Sequence, residues 1–291
     1  MFFPSRLLLP LGLALSALPT GICAQVDRAS DQKTEQETGR KDSDIVVIGK
    51  IEPLELPTQV EPGSPVRRIG GQTARDSDRM IRCAGLPDPA ELSKILDNGP
   101  RHPAAKKALH RYIVSHRGCY MGYPTTPMPS SPFFGDCNPV PTDLLPEPKY
   151  AICRSTLDRG QLYERAVDKY TDVGSLIRSD TMDKAVQYRF WARAEDRKRF
   201  RYPDDYRFFA VVACMISQFP QLGAAMLDSE LGSDEERLAM QRLIGGGSIC
   251  VGGAKNVKVD AASFRAYTAE VMYELSLARR GGNSLIPAAE D

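Results

Sequence analysis

The chain has one tryptophan and three histidines among 291 residues, and its charges nearly cancel at a formal +1. That balance leaves no reason from bulk charge to expect nucleic acid or an anionic membrane as partner. Beyond the N-terminus no apolar run is long enough for a membrane span. Reactive signatures are missing too: HExxH, CxxC, the Walker P-loop and GxGxxG do not occur. Gly246-Gly247-Ser248-Ile249-Cys250 has the outline of a nucleophile elbow. It ends in Cys rather than Gly, however, and follows a helical pattern rather than a strand, so it reads as a glycine-run helix stop. His102, His110 and His116 share one segment, but the i,i+6 spacing of the last two places them on opposite helix faces, a poor geometry for a shared metal. His102 and Pro103 read as a helix start. No cofactor and no metal are expected.

What is present begins with an export signal. Arg6 is the only charge in residues 1–24, and Leu7 to Leu18 is mostly apolar but short for a bilayer span. Small residues before the cut favour cleavage after Ala24, which predicts a mature chain that starts at Gln25 and carries no net charge. The expected location is periplasmic or secreted. Cys23 leaves with the signal. Six cysteines remain, Cys83, Cys119, Cys137, Cys153, Cys214 and Cys250, and an even count in an exported chain predicts three disulfides. With 42% apolar residues a folded core is expected.

The cysteines expose an internal repeat. Cys83 and Cys119 are 36 residues apart, as are Cys214 and Cys250, and a shift of 131 overlays both pairs. The same shift superposes Pro89 on Pro220, Leu96 on Leu227, Asp97 on Asp228, Ala108 on Ala239 and Arg111 on Arg242. Helices are predicted at about 76–84 and 204–217, then from Pro89 and Pro220, because proline suits a first helical turn. A third pair starts near Pro103 and at Ser233, where Ser233-Asp234-Glu235-Glu236 reads as a capping box. A fourth pair, 159–169 and 265–277, shares an Arg followed five residues later by Glu: Arg159 and Glu164, Arg265 and Glu270. Its offset is 106, so the first copy holds 25 extra residues, the proline-rich stretch of 120–148. Cysteines common to both copies most simply pair within a copy, and Cys137 with Cys153 completes the set.

The predicted fold is therefore all-α. Two pseudo-repeats of about four helices each, 73–178 and 204–280, are joined by a longer helix within 179–203. Residues 25–72 are expected to be a disordered or extended tail and 281–291 a disordered C-terminus. Within the tail, Asp44-Ile45-Val46-Val47-Ile48-Gly49 resembles the stretch that opens the plug of TonB-dependent outer-membrane receptors. The likeness spans six residues, and the amphipathic strands of such a receptor's barrel are missing from the sequence pattern. The segment reads instead as a β-prone run able to add a strand to a partner's sheet edge.

One stripe invites a ligand. Arg189, Arg193 and Arg197 recur every four residues beside Trp191, and could bind an anionic or aromatic group or simply form a solvated helix face. The functional expectation is a non-catalytic binding or interaction module for a protein or envelope component. The alternative is a cell-envelope hydrolase using Glu164 and Glu270 in a cleft between the repeats.

Overall fold

The structure is a computed structural model that describes residues 65–119, 137–138, 152–252 and 260–288. Residues 1–64, with the predicted export signal, the β-prone segment and most of the expected tail, lie outside them, as does nearly all of 120–148. The described residues are helical apart from one short strand pairing, as expected from the periodicity.

Local chemistry accounts for most of the helix starts. In α2 (Pro89–Leu96) Asp88 accepts from the Glu91 amide at 3.0 Å, and Pro89 fills the first turn. In α3 (Pro103–Ser115) the His102 ring nitrogen Nδ1 accepts from the Ala104 amide at 3.2 Å. The second half repeats this logic. α7 (Pro203–Gln218) and α8 (Pro220–Asp228) both begin at proline, and α9 (Asp234–Gly246) is capped by Ser233 Oγ from the Glu236 amide at 3.1 Å. α3 and α9 start and stop 131 residues apart at both ends.

Each half carries one of the expected bridges. Cys83, in the last turn of α1 (Pro65–Ala84), joins Cys119 in the 3-10 turn after α3, with α-carbons 5.5 Å apart. Cys214 in α7 joins Cys250 in the 3-10 turn after α9, at 5.7 Å. The third pair falls where the backbone forms its one antiparallel strand pairing, β1 (Cys137–Asn138) with β2 (Ile152–Cys153), in which Cys137 sits opposite Cys153.

At the centre lie α4 (Ser155–Tyr170) and α10 (Ala261–Arg280), the helices offset by 106. Gly160 of α4 meets Ala266 of α10 early in each helix, and Tyr170 meets Arg280 at their ends, so the two run in the same direction. A Cβ on Gly160 would lie 2.7 Å from the Ala266 α-carbon. Every residue of α10 from Ala262 to Leu275 is buried. One continuous apolar core draws Leu92, Ile95, Leu109 and Ile113 from the first half, Val212, Ile216, Met226 and Leu243 from the second, and Tyr163 and Tyr273 between them.

Three boundaries are corrected. α1 begins at Pro65, inside the stretch assigned to the extended tail, because a proline that ends a linker also suits a first helical turn. The single connecting helix is two: α5 (Arg178–Thr181) and α6 (Lys184–Lys198). Asp183 breaks them by accepting from the Ala185 and Val186 amides at 2.9 and 3.0 Å, while Thr181 Oγ1 donates to the Ser217 carbonyl at 2.6 Å. The C-terminal stretch docks through residue 286, since Gly281 ends α10 at φ 76° and turns Leu285 and Ile286 back into the core.

Two outcomes follow from this packing. Replacing Cys250 with Ser should free Cys214, leave Cys83–Cys119 intact and cost about 2–5 kcal/mol. Unreduced peptide mapping with denaturant melts reads both, and the same map should return a Cys137–Cys153 peptide. Replacing Gly160 with Ala gains helix propensity of up to about 1 kcal/mol. The crowding against Ala266 outweighs it, and melts should show a net loss of about 1–3 kcal/mol.

Candidate functional site

The arginine stripe of α6 faces inward, onto α10. Arg189 Nε donates to the Ala278 carbonyl at 2.6 Å. Arg193 Nε donates to Glu274 Oε2 at 2.7 Å, and its Nη2 reaches the Asp97 carbonyl and Oδ1 at 3.0 and 3.3 Å. Arg197 pairs through Nη1 with Glu274, and through Nη2 with Glu270 at 3.2 Å. Trp191, half-buried, donates its indole N–H to Gln187 Oε1 at 2.8 Å and packs edge-on to Phe190. The residues offered as a ligand face therefore join α6 to α10 and to the end of α2.

Around them the structure adds Arg201, which continues the arginine row in the sequence, and groups that the sequence reading missed, Asp205, Tyr163, Tyr267 and Tyr273. Arg201 pairs with Glu270 and, at 2.9 Å, with Asp205, which also accepts from the Tyr267 hydroxyl at 2.5 Å. Tyr163 donates to the Leu96 carbonyl at 2.6 Å and accepts from Arg159 and Arg197 at 3.1 and 2.9 Å. Tyr273 donates to Asp97 Oδ1 at 2.8 Å. The signal was there in outline: Glu270 and Glu274 are one turn apart, as are the arginines of α6, so two stripes of opposite charge match in pitch.

Two arginines have the same task in the two halves. Arg159 donates to the Ile95 carbonyl and, at 3.1 Å, to that of Asn98, at the end of α2. Arg265 donates to the Met226 and Ser229 carbonyls at 2.7 and 3.0 Å, at the end of α8. Each cation answers the negative end of a short helix. Arg265 also grips Glu164 with two bonds, at 2.7 and 2.9 Å, across the α4–α10 crossing.

For Glu270 these contacts decide the chemistry. Burial pushes the Glu270 carboxyl up, but Arg201, Arg197 and Arg159 outweigh it and bring its pKa down to about 2. Such a group is a weak base and stays ionised at neutral pH. Burial raises the Tyr163 hydroxyl to about 12, helped by Glu270, so it remains a neutral donor. Arg159, Arg193, Arg197 and Arg201 face Asp97, Asp205, Glu270 and Glu274, so the cluster is formally balanced. The cavity beside it, at Arg159, Arg201 and Glu270, is about 10 Å³, room for about one water. Among the described residues no three His, Cys, Asp or Glu side chains are placed to hold a metal. His102 caps α3, and His116 Nδ1 lies 2.9 Å from the Tyr112 carbonyl.

Compared with family models, curated proteins and solved structures, the chain matches none.

The network should reveal itself in acid. A carboxyl whose folded pKa is depressed stabilises the fold above its ordinary pKa, and that stabilisation is lost as pH falls from about 4.5 to about 2. Arg201→Met leaves Glu270 short of a partner and should cost about 3–5 kcal/mol near neutral pH. Urea melts should show this deficit shrinking towards about pH 3, as Glu270 becomes able to take a proton.

Proposed function

We propose that the protein is exported to the periplasm, is cut after Ala24, and works there as a non-catalytic binding or interaction module for a protein or another envelope component. One observation carries this reading: Glu164 and Glu270, the candidate carboxylates, are each bound by a buried arginine, and the cavity at Glu270 has room for about one water. Carboxylates committed in this way are not free to meet a substrate, and Glu270, held well below its ordinary pKa, carries no proton to donate near neutral pH.

Export is supported by the Cys83–Cys119 and Cys214–Cys250 bridges, which persist where thiols are oxidised. No single described helix is long and apolar enough to cross a membrane; α7 and α8 pass that test only as a pair bent by 105°. Their apolar faces are in the core.

The test is to challenge the mature, oxidised chain with envelope extract and with purified envelope polymer. A partner that is retained, identified by mass spectrometry and bound again from purified components is the expected result, with the polymer left intact. Release of polymer fragments that stops in a folded Glu164→Gln or Glu270→Gln variant would establish the hydrolase instead.

A further inference from the structure

The parallel helices α4 and α10 end side by side, and the chain leaves them in different ways. After Tyr170, Thr171 is extended and a 3-10 turn follows at Val173–Ser175. After Arg280, the chain turns at Gly281 and re-enters the core at Leu285. The gap between the two exits is a groove of about 300 Å³, within the lower range of small-molecule sites. Its floor is apolar, formed by the buried Leu176 and Leu285. The Ser276 hydroxyl, half-buried on its wall, makes no hydrogen bond.

The charges on this groove differ from those of the central network. Arg279 is occupied: Nε lies 3.2 Å from Asp180 and Nη1 donates to Ser175 Oγ at 3.2 Å. Arg280 spends two donors on backbone carbonyls, those of Leu285 at 3.3 Å and Tyr170 at 3.0 Å, and has no carboxylate partner among the described residues. Its remaining N–H groups are unused. Asp172 lines the same groove, and among the described residues its carboxylate accepts no hydrogen bond and pairs with no cation. A cation without an anion and an anion without a cation thus share one concavity without pairing with each other. Both side chains are exposed, so neither is forced into this state by burial.

A simple anion suits such a site poorly. Asp172 repels it, as do the ends of two helices, each worth about half a negative charge. A simple cation meets Arg279 and Arg280. A ligand bearing both signs satisfies everything at once, and we infer that the groove binds a small zwitterion of the amino-acid or short-peptide class. Its carboxylate lies at Arg280 and Ser276, its ammonium at Asp172, and its side chain on Leu176 and Leu285. This inference rests on the binding reading above and supplies a ligand chemistry for it.

The test is calorimetric titration of the full mature chain with L-leucine and with Ala-Leu. N-acetyl-leucine, which lacks the ammonium, and leucine amide, which lacks the carboxylate, are the comparison ligands. Leucine or the dipeptide should bind, and each blocked leucine should bind at least about tenfold more weakly than leucine itself. Arg280→Gln should make leucine and leucine amide bind alike; it also gives up two backbone contacts, so it should fold cooperatively with a somewhat lower melt. Asp172→Asn should do the same for leucine and N-acetyl-leucine and keep the thermal melt of the parent. Failure of both leucine and Ala-Leu to bind overturns the inference. So does equal binding of the blocked compounds, or discrimination that survives both substitutions. Any of these results leaves a partner captured from envelope extract standing. Conversely, leucine binding by a chain that also cleaves envelope polymer would remove the non-catalytic reading and keep the groove.

Discussion

A carboxylate moved from water into a packed core costs several kcal/mol unless cations meet it there, and the helix at the centre of this protein carries two. Glu270 and Glu274 lie on α10 in the interior, and Arg193, Arg197 and Arg201 come in from the α6–α7 side to receive them. Arg159, Arg197 and Tyr163 then tie the same cluster to the carbonyl end of α2. If α10 is withdrawn, Arg197 loses both its counter-charges, Arg193 and Arg201 lose one each, and the apolar core loses its middle layer. The position of α6, the closure of α2 and the docking of the C-terminal stretch all refer back to this one helix.

The two disulfides work at the periphery of that arrangement. Each closes a helix–hairpin unit against the 3-10 turn that follows it, and in each unit an arginine of the central helix pair grips the end of the short helix, Arg159 in one half and Arg265 in the other. Covalent closure and the central charge cluster are separable. The bridges act mainly on the unfolded chain, while the ion pairs act on the folded one. Reducing agents and acid therefore attack different parts of the same stability.

Much of the helical framework was legible from side-chain chemistry. Asp88 with Pro89, His102 with Pro103, and Ser233 with Glu236 mark their helix starts because caps act locally and need no knowledge of the rest of the fold. The spacing of Cys83, Cys119, Cys214 and Cys250 foretold both bridges. The errors have a common source. α10 holds Arg265, Glu270 and Glu274, so periodicity alone assigns it a wet face, although its middle is buried all round. Only the arrival of Arg197 and Arg201, some seventy residues earlier in the chain, makes those charges tolerable. The same distance hid the purpose of the arginine stripe. A row of cations spaced by four residues is compatible with solvent, a ligand or an opposing helix, and the choice depends on tertiary structure. Asp172 and Arg280 were invisible for the same reason, since nothing local brings the exits of α4 and α10 together.

The crossing of α4 and α10 has a consequence for ancestry. Gly160 and Ala266 occupy corresponding places in the two halves, and there the helices touch with room for one methyl group. A protein built from two copies of the first half would bring glycine onto glycine and leave a void at the crossing. Two copies of the second half would bring alanine onto alanine and hold the helices apart. Only the unlike combination fills the space. If the chain arose by fusion of a symmetric dimer, this contact would have closed the way back, because the like pairings no longer fit and a single chain supplies the unlike one.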